Sequence, residues 1–250
     1  LTAANTLTDE DVLGTISYSW SNGDTGATTT LGQSDVGNTI TVTASYTDSL
    51  NTAESVSSAA TSSVANVNDA PSGSVTISGT AVEDGVLTAA NTLTDEDVLG
   101  TISYTWSNGD TGETTTLGQL DVGNAISVTA TYTDGQGSGE SVSSESTESV
   151  VNVNDAPSGS VTISGTAVED GVLTAVNTLT DEDVLGTISY SWSNGDTGET
   201  TTLGQSDVGN TISVTASYTD SLNTAESVTS AATGSVANLN DAPSGSVTIS

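Results

Sequence analysis

Apolar and hydroxyl-bearing residues alternate along most of this chain, with the two-residue period of half-buried strands. Between Ala70 and Asp155, residues 74–78 set Val75 and Ile77 among serines and a threonine. Ile102, Tyr104 and Trp106 alternate with Ser103 and Thr105. Ile126, Val128, Ala130 and Tyr132 do the same with Ser127, Thr129 and Thr131. Residues 86–93, 113–117 and 141–153 read as further strands. The turns GTAVEDG, TDEDVLG, SNGDTG, GQLDVGN and TDGQGSGE lie between them, and the Asn-Gly pair of SNGDTG is a hairpin signal. No stretch carries a helical period.

About seven short strands, with a turn signal about every 8–12 residues, describe a β-sandwich. The fold expected is all-β: tandem seven-stranded immunoglobulin-like (cadherin-like) β-sandwiches, end to end. Trp106 falls on the third strand, where such a sandwich carries its central Trp, and is expected in the core. Tyr104 and Tyr132 are expected in the core or on a sheet face. LTAANTLTDEDVLGTISY starts at Leu1 and Leu87 and recurs at Leu173 with Val176 for Ala, a fixed period of 86 residues. Residues 1–78 and 173–250 differ at six positions: Ala4/Val176, Ala27/Glu199, Thr41/Ser213, Ser57/Thr229, Ser62/Gly234 and Val67/Leu239. A fixed period means one unit copied, here long enough to bury a small core of its own. The copies are expected at 1–69 (lacking its first strand), 70–155 and 156–241 (both complete), and 242–250 (the first strand of a following copy). Starting and stopping within a repeat, the chain is expected to belong to something longer, with export signals and anchors outside it.

Charge narrows the partners. The 32 Asp and Glu residues face no Lys, Arg or His, for a formal net charge of −32. Nothing neutralises a phosphate, which excludes nucleic acid, and anionic membrane surfaces repel the chain. No apolar run approaches the roughly 20 residues that span a bilayer, so no direct membrane insertion is expected in this segment. Without Cys there is no disulfide or thiolate metal site, and without Lys no Lys–Asn isopeptide staple. Most general bases and oxyanion stabilisers are missing. A carboxylate pair for glycoside hydrolysis would have to be copied along near-identical repeats. No enzyme and no small-molecule substrate are expected.

Every carboxylate must therefore be solvated, hydrogen-bonded or bound to a cation. Sandwich topology puts the acidic turns at the poles, where successive copies meet. At the junction of the second and third copies, Glu83, Asp84 and Asp121 are expected to meet the linker residues Asn152, Asn154 and Asp155. Asp181, Asp183 and Asp220 follow from the next copy. The corresponding positions elsewhere are Asn66, Asn68, Asp69, Asp95, Asp97 and Asp134, and then Glu169, Asp170, Asn238, Asn240 and Asp241. Oxygen ligands gathered without a counter-charge repel one another, and Ca²⁺, which takes about 6–8 oxygens in flexible geometry, relieves that. The alternative is that TDED and VEDG are ordinary solvated turns. The Asp-x-Asp run is not an EF-hand, because Trp106 stands twelfth from Asp95, where that loop needs Glu.

Asn152-Val-Asn-Asp-Ala-Pro157 resembles the cadherin inter-domain linker, and Asp181-Glu-Asp183 resembles the cadherin Asp-x-Asp calcium motif. Glu83 matches the acidic residue that cadherins place near the first turn, and Asp220 the late-loop aspartate. The linker departs by opening with Asn rather than Asp and by Ala156 in place of the second Asn, and the Leu-Asp-Arg-Glu motif is absent. The whole repeat resembles the immunoglobulin-like and cadherin-like extender modules of giant bacterial surface adhesins, including RTX-type ones. The resemblance implies Ca²⁺-rigidified linkers, a long stalk and an extracellular, cell-surface address. The expected function is a structural extender whose partners are neighbouring repeats or identical chains end to end. The alternative is a subunit of a polymeric filament or matrix fibre, with residues 245–250 completing the head of the next chain by strand addition. Gln33, Gln119 and Gln205 recur and invite comparison with Thr–Gln ester staples, but no His is present to assist one.

Overall fold

A computed structural model of the protein describes residues 1–249. The chain is all-β: among the described residues, fifteen strands form five three-stranded antiparallel sheets, with three short 3-10 turns and no α-helix. It divides into two compact units, Leu1–Val150 and Val151–Ser250.

In the first unit, β1 (Ser17–Trp20), β2 (Val42–Thr47) and β3 (Ala53–Ser57) form one sheet in that order. Then come β4 (Val75–Ser78), β5 (Val86–Asn91), β6 (Ser103–Trp106), β7 (Thr114–Thr116), β8 (Val128–Thr133) and β9 (Gly139–Ser143). These make two sheets, β4-β5-β7 and β6-β8-β9. The alternation read from the sequence sets which side chains face inward. Val75, Leu87 and Ala89 from one sheet pack with Trp106, Val128, Ala130 and Tyr132 from the other in a single buried cluster. Two sheets burying their apolar faces against each other are the build of a β-sandwich. Trp106 is core, as its position on the third strand predicts, and its Nε1 donates to Gly112 O at 2.9 Å.

The second unit repeats this plan with β10 (Val161–Ser164), β11 (Val172–Asn177), β12 (Ser189–Trp192), β13 (Thr200–Thr202), β14 (Val214–Thr219) and β15 (Ala225–Thr229). Its sheets are β10-β11-β13 and β12-β14-β15, around a core of Leu173, Trp192, Leu203, Ile212 and Val214.

Two local expectations are corrected. Residues 141–153 do not run as one strand: β9 ends at Ser143. Past β9, Thr147 Oγ1 accepts the Ile126 N–H at 3.0 Å, a side chain taking the place of a ladder carbonyl. The Ser144 and Thr147 N–H groups still reach Val128 O and Ile126 O, both at 2.9 Å, and bridges resume at Ser149 and Val150. Second, SNGDTG closes as a hairpin tip, with Gly109 and Gly112 at positive φ and a Thr105–Thr111 bridge. Its flanking strands nevertheless part, since β6 pairs with β8 and β7 with β5. Residues 242–249 form no strand in this structure, and Val247 and Ile249 are fully exposed. The same sequence becomes β4 and β10 by hydrogen-bonding to β5 and β11, and a strand needs such a partner for its backbone groups. Ser250 lies outside the described residues.

Candidate metal centre

The acidic loop 94–100 precedes β6, and its two aspartates have separate tasks. Asp95 turns inward: its Oδ1 accepts the Asp97 N–H at 2.8 Å and its Oδ2 the Tyr132 hydroxyl at 2.6 Å. It is thereby tied to β8 of its own copy. Val98 follows with φ +74°, a conformation that a β-branched residue rarely adopts. The carbonyls of Asp97 and Val98 both accept the Gly135 N–H, at 2.8 and 3.0 Å, which joins this loop to the one after β8.

Asp97 faces the preceding copy. It is 0% exposed. Its Oδ1 accepts Gln33 Nε2 at 2.8 Å, and its Oδ2 accepts the backbone N–H of the linker residue Asp69 at 2.9 Å. Beside it, the linker Asn68 donates from Nδ2 to Glu140 Oε1 on β9 at 2.8 Å. Asp134 is also buried. Its Oδ1 accepts the N–H groups of Gln136 and Ser138, both at 2.8 Å, while Oδ2 is buried with no hydrogen-bond partner. Burial pushes the Asp134 carboxyl up, but the backbone donors of Ser138, Gln136 and Gly137 outweigh it and hold the group below the usual aspartate range. Asn66 Oδ1 in the linker is a second buried oxygen without a donor.

The first copy supplies the comparison. Asp9 makes the same brace, accepting the Asp11 N–H at 2.8 Å and the Tyr46 hydroxyl at 2.8 Å. Asp11, in the position of Asp97, is exposed and no donor reaches its carboxylate from another copy. Burial of the second aspartate therefore comes from the linker and turn before it, not from its own sandwich.

The second unit repeats the arrangement. Asp181 accepts the Asp183 N–H at 2.8 Å and the Tyr218 hydroxyl. Asp183 is 1% exposed, accepting Asn152 Nδ2 on Oδ1 and the Asp155 N–H on Oδ2, the latter at 2.7 Å. Asn154 donates to Glu226 Oε1 at 3.1 Å. Asn152 Oδ1 and Asp220 Oδ2 are again buried without a partner. At the far end Glu169 is buried and its Oε2 accepts the Leu239 N–H at 3.0 Å. Asn238, Asn240 and Asp241 there are exposed.

Other residues expected at the junctions sit differently. Glu83 is buried in the turn between β4 and β5, whereas Asp84 and its counterpart Asp170 are exposed, both left-handed. Asp121 stays within its own copy: its Oδ2 accepts the Gly118 N–H at 3.0 Å and, from the β6–β7 turn, Asn108 Nδ2 at 3.5 Å. Gln33, Glu140 and Glu226 also carry junction contacts, although they lie outside the acidic turns.

The donor set at each junction consists of carboxylate and amide oxygens, two of them buried without a donor. With no basic side chain in the chain, an oxygen-seeking cation is the counter-charge that fits. Among the described residues no helix is long and apolar enough to cross a membrane.

No family model matches the chain, and no curated protein does. Solved structures do. One is a tetra-tandem repeat in the extending region of a large adhesion protein, 21% identical over 88% of this chain, with a TM-score of 0.27. This chain spans 65% of that one's length. Another is a Ca²⁺-stabilized adhesin that helps an Antarctic bacterium reach out and bind ice, 18% identical over 96% of this chain and 68% of its own, TM-score 0.29. A third comes from a 1.5-MDa bacterial ice-binding adhesin, 16% identical over 93% of this chain and 88% of its own, TM-score 0.29. Superpositions this loose carry no functional assignment, which has to come from the chain's own residues.

Proposed function

We propose that this chain is a structural extender of an extracellular microbial adhesin or appendage. Its immunoglobulin-like, cadherin-like copies, bounded at 1–69, 70–155, 156–241 and 242–250, are stiffened by Ca²⁺ at their junctions. It has no catalytic role, and its partners are neighbouring copies. One observation carries the reading: the Asp97 carboxylate is fully buried by donors from the preceding copy and linker, while the equivalent Asp11 is exposed. Burying a carboxylate in a chain of net charge −32 is costly unless a cation shares the site. Asn66 Oδ1, Asp97 and Asp134 Oδ2 would hold the ion at one junction, and Asn152 Oδ1, Asp183 and Asp220 Oδ2 at the other. The ion would supply positive charge and a multidentate clamp across the linker.

The test is small-angle scattering of the whole chain in EDTA and in millimolar Ca²⁺. The expected result is a larger, narrower distribution of dimensions with Ca²⁺ and greater protease sensitivity of the linkers without it. Identical dimensions in both conditions sink the reading.

A further inference from the structure

The same glutamine occupies two states in this molecule. Gln33 has a folded copy after it, and its Nε2 donates across the junction to Asp97 Oδ1 at 2.8 Å. Gln205 holds the identical place in the third copy, where no strand follows among residues 242–249. Its Nε2 donates instead to the linker, to Asn238 Oδ1 at 3.1 Å. Asn238 is the counterpart of Asn66, whose Oδ1 is buried and has no partner. The neighbouring linker asparagine gains a contact in step: Asn68 and Asn154 reach Glu140 and Glu226, beyond the turn to the following carbonyl that Asn154 and Asn240 both make at 3.2 Å.

We propose that Gln33 is a docking latch that trades the linker amide of Asn66 for the Asp97 carboxylate when the next copy seats, and so uncovers Asn66 Oδ1 as a cation ligand only in the assembled junction. This rests on the cation reading above and extends it to how the site is made.

The exchange is favoured at the glutamine, because an ionised acceptor gives a stronger hydrogen bond than a neutral amide oxygen. It is unfavourable at Asn66, because a buried acceptor loses its donor. A cation on Asn66 Oδ1 removes that second cost. Docking and cation binding therefore favour each other, and by linkage the effect is equal in both directions. Asp134 responds in parallel on the other side of the junction. Its Oδ2 is buried and unpartnered, whereas Asp48, the same residue in the first copy, is only half-buried. Gln33 touches no cation ligand position except through Asp97, and is a positioning residue.

The experiment uses the full chain, which has no Cys, with spin labels on cysteines introduced at the exposed Ser19 and Thr105. The width of the inter-label distance distribution is followed in EDTA and along a Ca²⁺ titration for the wild type, Gln33→Met and Gln205→Met. Gln33→Met is expected to broaden the distribution in EDTA and to raise the Ca²⁺ needed for half-narrowing by about fivefold to tenfold. Gln205→Met is expected to match the wild type. Equal widths for Gln33→Met and wild type in EDTA overturn the latch, as does an equal effect of Gln205→Met. A wild type that ignores Ca²⁺ removes the cation while the EDTA widths still judge the latch. Gln33→Glu, which places an acceptor against Asp97, gives a second reading: wide in EDTA if the latch holds, unchanged if it does not.

Discussion

The backbone N–H of Asp69 donates to Asp97 Oδ2 at 2.9 Å, so a linker residue is fastened to the acidic loop that precedes β6. With Gln33 on Oδ1, the carboxylate has both oxygens engaged by its predecessor. It still has lone pairs to spare, since an ionised carboxylate accepts at about four positions.

That relationship sets what the charge does. Asp97→Asn removes a buried negative charge but leaves one oxygen for two donors, with its NH2 turned to the other. In EDTA it should loosen the junction modestly, as the loss of the Gln33 contact does. In Ca²⁺ it should weaken binding at that junction by at least about tenfold, because ligand charge sets the affinity of such sites. Asp11→Asn should change neither condition. Calorimetric titration of the three proteins checks this, and parallel effects of the two substitutions would refute the assigned role of Asp97.

Much of the sandwich was legible beforehand. The alternation through Ile126, Val128, Ala130 and Tyr132 names the buried face of β8, and the third-strand Trp names the core. The parting of β6 and β7 was not, since hairpin chemistry in SNGDTG fixes the turn and not which sheet the departing strand joins. The site was legible in kind only. Acidity flagged Asp95 and Asp97 alike, but only the Tyr132 hydroxyl shows that the first braces the loop and leaves the second to the junction. Gln33 carried no charge to betray it, and its recurrence in each copy was the one available signal.

Val12, Val98 and Val184 are left-handed in all three copies, at φ +66°, +74° and +71°. A non-glycine residue held there costs about 1–3 kcal/mol, whereas glycine's extra chain entropy costs about 0.5–1 kcal/mol. Val98 is 66% exposed, so little burial is forfeited. Val98→Gly should therefore stabilise its copy by about 1 kcal/mol, raising the melting temperature by about 4–8 °C in EDTA. Calorimetry decides it, and a lower melting temperature would mean that the valine side chain, not the turn, matters.

Gly100 closes the same loop against β8. A Cβ built there would lie 1.9 Å from the Thr133 carbonyl oxygen, and the equivalent Gly14 and Gly186 meet Thr47 and Thr219 at 2.0 Å. Gly100→Ala has to push β8 and the loop apart, at about 1–3 kcal/mol. Gly118→Ala is the control, with nothing within 4 Å of the added methyl. Thermal melts should separate the two, and equal melting temperatures would rule out the close approach.

The phenols that brace the acidic loops should give the chain an alkaline limit. A hydrogen bond to Asp9, then burial and nearby carboxylates, push the Tyr46 hydroxyl up to about 12. Burial first, then the bonds to Asp95 and Asp181, push Tyr132 and Tyr218 higher still. A folded value above the unfolded one, near 10, means that the stabilisation is complete below about pH 10 and is lost as pH rises toward the folded values. Asp134 works in the opposite sense: its lowered carboxyl contributes above about pH 4 and fades as pH falls through the folded value. With no His, Lys or Cys, no side chain normally titrates between these limits. Stability in EDTA should therefore be nearly flat from about pH 5 to about pH 9. Ultraviolet titration of phenolate should find three of the six tyrosines ionising only at about pH 12 or on unfolding. Tyr132→Phe should remove one of the three and loosen the Asp95–Asp97 loop, read as faster amide exchange at Asp97. Ionisation of all six in one step near pH 10 would show that the braces do not form.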